Sequence, residues 1–189
     1  MDELKRRILN DAIAAKEDIV QVDMFLNHNL DIPLLEDMGA ALAKRFRGAG
    51  ITKVLTAETS GIALACFTAQ AMGTGAVYAK RFHTGYTDSK VYFSDIHSFS
   101  MDKTYTLSVS QKYIAPNDVI LIVDDILASG QAVLGLLEIA AKAGAEVAGI
   151  GVAIEKATRE GGKILRQMGF QVEALAVIQS VQNGKILLK

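Results

Sequence analysis

Two adjacent carboxylates, Asp124 and Asp125, follow a β-branched run, Val119 to Val123, and precede a short loop, Ile126 to Gly130, that opens a helix. Backbone amides at a helix N-terminus are unpaired and partly positive, so they hold a phosphate well. Gly130 lets a ligand come close to the backbone, and Ser129 adds a hydroxyl donor. Two carboxylates do not bind phosphate, but they accept hydrogen bonds from a diol. A phosphate on one side and hydroxyls on the other describe a ribose 5-phosphate. On these residues alone, an Asp pair capping an ordinary strand–turn–helix junction stays open. The loop has neither the Gly spacing of a dinucleotide fingerprint nor the Gly-Lys of a nucleoside-triphosphate loop.

Other groups admit two readings each. Glu58-Thr59-Ser60-Gly61 offers hydroxyls and amides to an anion, or a helix N-cap with an acidic first turn. Lys156 closes a strand as a donor, or forms an exposed pair with Glu155. Asn27-His28-Asn29 is a ligand contact or a polar turn. Lys80 and Arg81 follow a strand and also suit ordinary surface charge. His28, His83 and His97 are too scattered to argue for a metal site. The single cysteine, Cys66, lies in the apolar stretch GIALACFTAQAM and reads as a buried structural thiol.

The elements that must position these groups alternate. Leu4, Ile8 and Ala12 predict a short amphipathic helix over Asp2 to Ala15. Ile19 to Leu26 alternates without a clear preference. A helix follows from Ile32 to Arg47, started by Asp31 and Pro33. Strands are expected at Ile51–Ala57, Gly75–Lys80, Val119–Val123, Val147–Ile154 and Gln171–Ile178, and helices at Gly61–Met72, Ser129–Ala143 and Arg159–Met168. Val91–Ser98 and Tyr105–Ser110 suit a long-looped hairpin. This order implies an α/β fold with an open, mostly parallel sheet and helices on both faces. Ligands in such folds sit beyond the carboxyl ends of the strands. The loops after Ala57, Ala79, Val123 and Ile154 are therefore the places for chemistry.

With 189 residues, half of them hydrophobic, the chain can bury the core of one domain. Lys plus Arg number 20 and Asp plus Glu 21, a balance that argues against a nucleic-acid partner. The longest apolar run, Val147 to Ile154, is far short of the roughly 20 residues that span a bilayer, so no membrane partner is expected. The charged opening MDELKRRILNDA has no signal-peptide core, which fits a cytoplasmic protein.

VDDILASGQA resembles the PRPP-binding motif of type I phosphoribosyltransferases, where PRPP is 5-phosphoribosyl-1-pyrophosphate. The Gly-Gln-Ala ending, Val22 to Asp31, GITKVLTAETSGIA at Gly50 to Ala63, and GIGVAIEK at Gly149 to Lys156 are similar to the xanthine branch. The resemblance covers nearly the whole chain. It implies the type I phosphoribosyltransferase fold, with a small hood built from about 1–35 and about 171–189. It implies purine salvage by transfer of the 5-phosphoribosyl group to xanthine, with pyrophosphate released. Ala128, Ser129, Gly130, Gln131 and Ala132 would cradle the 5-phosphate, and Asp124 and Asp125 would face the ribose hydroxyls. Glu58, Thr59, Ser60 and Gly61 match the pyrophosphate loop, with Lys80 and Arg81 nearby. Val20, Asn27 and Lys156 match the xanthine contacts, Val20 only through backbone or packing. Mg²⁺ would be held mainly by PRPP oxygens, the chain would pair as a homodimer, and Phe82 to Tyr105 would form a mobile lid. Hypoxanthine–guanine relatives place an Asp where this chain has Ala128. The resemblance leaves a sister enzyme preferring guanine, hypoxanthine or adenine as the second reading, and a non-catalytic PRPP-sensing regulator as the third.

Overall fold

The β-branched runs form the middle of one sheet in the computed structural model, which describes residues 1–16, 19–81, 90–98 and 103–189. In chain order the elements are α1 (Asp2–Asp11), β1 (Ile13–Lys16), β2 (Ile19–Gln21), a single π-helical turn (Asp23–Asn27), α2 (Ile32–Arg45), β3 (Lys53–Ala57) and α3 (Gly61–Met72). Then come β4 (Gly75–Arg81), β5 (Val91–Ser98), β6 (Lys103–Ser110), β7 (Val119–Leu127), α4 (Gln131–Ala143), β8 (Glu146–Lys156), α5 (Gly161–Gln167), β9 (Val172–Gln182) and β10 (Lys185–Leu188).

Eight strands pair in the order β10-β9-β8-β7-β3-β4-β6-β5. The centre, β9-β8-β7-β3-β4, is parallel throughout. The edges are antiparallel: β10 on β9, and the β5–β6 hairpin on β4. Leu121 and Val123 of β7 face one apolar core with α1, α2 and α3, while Ile120 and Ile122 face a second core with α4 and α5. A strand buried on both faces needs an unbroken apolar run, which is what Val119 to Val123 supplies.

From β3 the chain winds one way to β4; from β7 it winds the other way to β8 and β9. The switch point lies between β3 and β7. There α3 and α4 leave opposite faces and open a crevice at the carboxyl ends of the strands.

Several expectations shift. The first helix stops at Asp11, because Ala12 is extended and Ile13 begins a strand. The undecided segment splits into β2, with Val20 buried, and the π-helical turn. Strand β7 continues past Val123 through both acids to Leu127, paired with β8 as far as Glu155. Neighbouring-strand hydrogen bonds override the poor strand propensity of Asp here. Helix α5 starts at Gly161, two residues later than expected. Of the expected lid, 82–89 and 99–102 lie outside the described residues, and most of the rest belongs to the hairpin of β5 and β6, of which β6 pairs antiparallel with β4. Cys66 is exposed rather than buried, because α3 turns Leu64, Ala65, Thr68 and Ala69 inward and leaves Cys66 on its outer side. Among the described residues, no helix is long and apolar enough to cross a membrane.

Candidate functional site

Both acids sit deep in β7. Asp124 is 9% exposed and Asp125 6%. The Asp125 backbone N–H donates to Asp124 Oδ1 at 3.0 Å. Burial raises the Asp124 pKa well above the ordinary carboxylate range, and the neighbouring Asp125 charge adds to the shift. Asp124 therefore holds a proton more tightly than a surface aspartate does. Two buried carboxyl groups side by side offer acceptor oxygens to adjacent hydroxyls.

Next to the acids, Gly130 takes φ +79° and precedes α4 as its N-cap. A Cβ at Gly130 would stand 3.1 Å from the Gly161 Cα, so glycine is needed for both conformation and space. The Gly161 N–H donates to the Ala128 carbonyl at 3.0 Å, which docks the start of α5 onto the loop. No side chain caps α4, so its first amides are left for a ligand. Ala128, Ser129, Gly130, Gln131 and Ala132 line one hollow of about 330 Å³ together with Asp124, Tyr105 and Arg159.

Across the switch point, Ser60 precedes α3 without a side-chain cap. Ser60 takes the N-cap position, but the acidic first turn of the capping reading is absent, because Glu58 points elsewhere. Its carboxylate accepts from the Arg81 backbone N–H at 2.6 Å, and its own N–H donates to the Ala79 carbonyl at 2.9 Å. Glu58 thereby ties the β3–α3 loop to the end of β4, and the Glu58–Thr59 peptide is cis. A Cβ on Gly61 would collide with Thr56 Oγ1 and approach Asp124 Oδ1 to 2.9 Å. Loop and acids are therefore in close register. Thr56 Oγ1 is buried without a hydrogen-bond partner, beside Asp124. The Arg81 guanidinium stacks on the Tyr105 ring at 4.6 Å. Burial raises the Tyr105 hydroxyl pKa, against the opposing influence of Arg81. Lys80 lies 5.7 Å from the Tyr78 ring on the same strand.

Asn27 ends the π-helical turn, and its amide reaches Asp125 Oδ2 at 3.5 Å. The turn thus overhangs the acid pair. Val20 is only 6% exposed and lies in the core with Leu4 and Ile8, so its side chain serves packing and only its backbone can meet a ligand. Lys156 closes β8 opposite Ile178. Its neighbour Glu155 is held by Arg166 in a two-pronged pair at 2.6 and 2.7 Å. Sequence reasoning missed Thr56, Tyr105 and Arg159. Their signals are weak, since a threonine in a strand, a tyrosine in a hairpin and an arginine in a turn are common. A larger hollow of about 510 Å³ lies at the opposite end of the strands, between the ends of α2 and α3.

The phosphoribosyl transferase domain model matches residues 29–174, which includes both loops and Lys156. The chain is 46% identical to a xanthine phosphoribosyltransferase of Ruminiclostridium cellulolyticum over 98% of both chains. It is 43% identical to one of Clostridium novyi over the full length of each. Among solved structures, an adenine phosphoribosyltransferase of Thermoanaerobacter pseudethanolicus superposes with a TM-score of 0.75 at 19% identity, covering 93% of this chain and 98% of the other. One from Giardia lamblia gives 0.73 at 22% identity, covering 85% and 87%. The last two show the shared fold. With the match running through the switch point and through both loops that flank it, the chain belongs to the phosphoribosyltransferase family.

Proposed function

We propose that this protein transfers the 5-phosphoribosyl group of PRPP to xanthine, giving xanthosine 5′-monophosphate and pyrophosphate in purine salvage. The observation that carries the reading is the crevice at the switch point. Two uncapped helix N-termini, of α3 and α4, flank one buried acid pair. PRPP has the same pattern: anionic groups at both ends of a diol. Curated relatives named xanthine phosphoribosyltransferase over the full length support the choice of base.

The amides of Ser129 to Ala132 hold the 5-phosphate at the start of α4. Asp124 and Asp125 accept from the ribose hydroxyls and fix the sugar. The amides and hydroxyls of Thr59, Ser60 and Gly61 hold the pyrophosphate, with Lys80 and Arg81 adding positive charge as it leaves. A purine ring nitrogen attacks the anomeric carbon, and the bond to the pyrophosphate oxygen breaks. Lys156 donates to an exocyclic oxygen of the base, and Asn27 and the Val20 backbone close over it. About 1–35 and the C-terminal strands form the hood.

No cluster of three or more metal-binding side chains occurs among the described residues. The available donors, two carboxylates beside a diol and a diphosphate, are hard oxygens that suit Mg²⁺. Asp124 and Asp125 would support a Mg²⁺ ion carried in by PRPP, which would supply charge neutralisation for the leaving group. A homodimer is part of the same reading.

The test is product formation. Purified protein with PRPP, Mg²⁺ and xanthine should release pyrophosphate and xanthosine 5′-monophosphate in equal amounts. Binding of PRPP without either product would refute catalysis.

A further inference from the structure

The phosphate loop contains no basic residue: Leu127 to Val133 reads Leu-Ala-Ser-Gly-Gln-Ala-Val. A sugar phosphate brings close to two negative charges, which neutral amides offset only in part. Among the described residues that line the hollow on this loop, Arg159 is the one with a positive charge. It reaches the hollow from the turn that leaves β8.

That turn is firmly placed. The Arg159 N–H donates to the Lys156 carbonyl at 3.0 Å, so the chain reverses within four residues. Two residues after Arg159, Gly161 is pressed onto Ala128 and Gly130. On the far side of the turn, Arg166 grips the buried Glu155 carboxylate. A Cβ at Gly162 would collide with that same carboxylate, so the pair and the turn are packed as one unit. Arg159 also borders a second hollow, of about 440 Å³, over α5. Beside that hollow, Lys163 pairs with Glu160 at 3.0 Å and Arg166 with Glu155 at 2.6 Å. The phosphate-loop side is where an anion would sit, because α4 leaves its first amides uncapped there.

We infer that Arg159 is a substrate-binding residue that engages the 5-phosphate of PRPP and of the nucleotide product. One turn then serves both ends of the product. Lys156 enters it toward the base, and Arg159 leaves it toward the phosphate. This inference rests on the proposed phosphoribosyl transfer.

The experiment compares wild type, Arg159→Gln and Arg159→Lys by steady-state kinetics, with ribose 5-phosphate and pyrophosphate as separate inhibitors. Loss of a charged hydrogen-bond donor predicts a rise of about tenfold in KM for PRPP and in the inhibition constant of ribose 5-phosphate for Arg159→Gln. KM for xanthine and inhibition by pyrophosphate stay within about twofold, since neither ligand carries the 5-phosphate. Arg159→Lys keeps the charge and recovers part of the loss. Unchanged inhibition by ribose 5-phosphate in Arg159→Gln, or an equal weakening for pyrophosphate, overturns the assignment. Failure of the wild type to consume PRPP with any base would instead sink the underlying reaction.

Discussion

The side-chain amide of Asn27 stands 3.5 Å from an oxygen of Asp125, although 98 positions separate them in the chain. This contact, at the outer limit of hydrogen-bond reach, is where the N-terminal segment meets the acid pair. In the proposed reaction Asn27 faces the base while Asp125 faces the ribose. Asn27→Ala should raise KM for xanthine about tenfold, the worth of roughly one hydrogen bond. KM for PRPP should change less. Asn27→Asp sets a new carboxylate beside Asp125, so its defect should extend to PRPP. Initial-rate kinetics with each substrate varied in turn separates the two. Equal effects of Asn27→Ala on both substrates would contradict the assignment.

Asp124 carries a stability cost tied to pH. Burial, with the Asp125 charge second, lifts its pKa above the ordinary 3.8. Between 3.8 and that raised value, the folded protein binds more protons than the unfolded chain. Stability therefore falls as pH rises through that window and stays reduced above it. Asp124→Asn removes the buried charge. At pH 8 it should stabilise the protein by about 1–2 kcal/mol, a gain of roughly 2–8 °C in Tm. The gain should shrink as pH is lowered toward 4, while kcat/KM for PRPP drops at all pH values. Thermal melts across this range are the check; a gain independent of pH would count against the origin in charge.

Gly61 leaves no room for a side chain between Thr56 and Asp124. Gly61→Ala must displace one of them, and overpacking of this kind costs about 1–3 kcal/mol. Since both neighbours are buried, the shift should also reach the acid pair and lower kcat/KM for PRPP. Urea unfolding and PRPP kinetics measure the two effects. A variant with wild-type stability and activity would show that the loop yields freely.

Cys66 provides a simple check of how α3 faces its surroundings. Because the thiol is exposed, native protein should react with about one equivalent of a thiol reagent, at a rate that denaturant raises only modestly. Protection until the protein unfolds would mean that something covers this face of α3, and a second subunit is the first candidate to test by sedimentation.

Much of this arrangement was legible in the sequence for physical reasons. Strand β7 announces itself because burial on both faces demands an apolar run. The loop after it is legible because an acid pair followed by Ser129 and Gly130 at a helix start suits a sugar phosphate, a reading that the resemblance of VDDILASGQA then favours over a plain turn. The ends of elements were harder. Asp124 to Leu127 stay in β7 because β8 pairs alongside, a long-range effect that strand propensity does not contain. Cys66 was misplaced because α3 is apolar almost all round, so its sequence shows no clear inner face. The buried Val20 side chain agrees with a contact limited to backbone or packing. Arg159 had only the weak signal of an arginine in a turn; the docking of Gly161 on Ala128 sets that turn against the phosphate loop.

Phosphoribosyl transfer to xanthine at the switch-point crevice has a direct chemical readout. The most direct measurement is nucleotide formation from PRPP and Mg²⁺ with xanthine, guanine, hypoxanthine and adenine in parallel. Xanthosine 5′-monophosphate should be the main product, with the highest kcat/KM for xanthine. Preference for another base would leave the PRPP site standing and contradict the roles given to Asn27 and Lys156. No nucleotide from any base, with PRPP still bound, would contradict the enzyme itself.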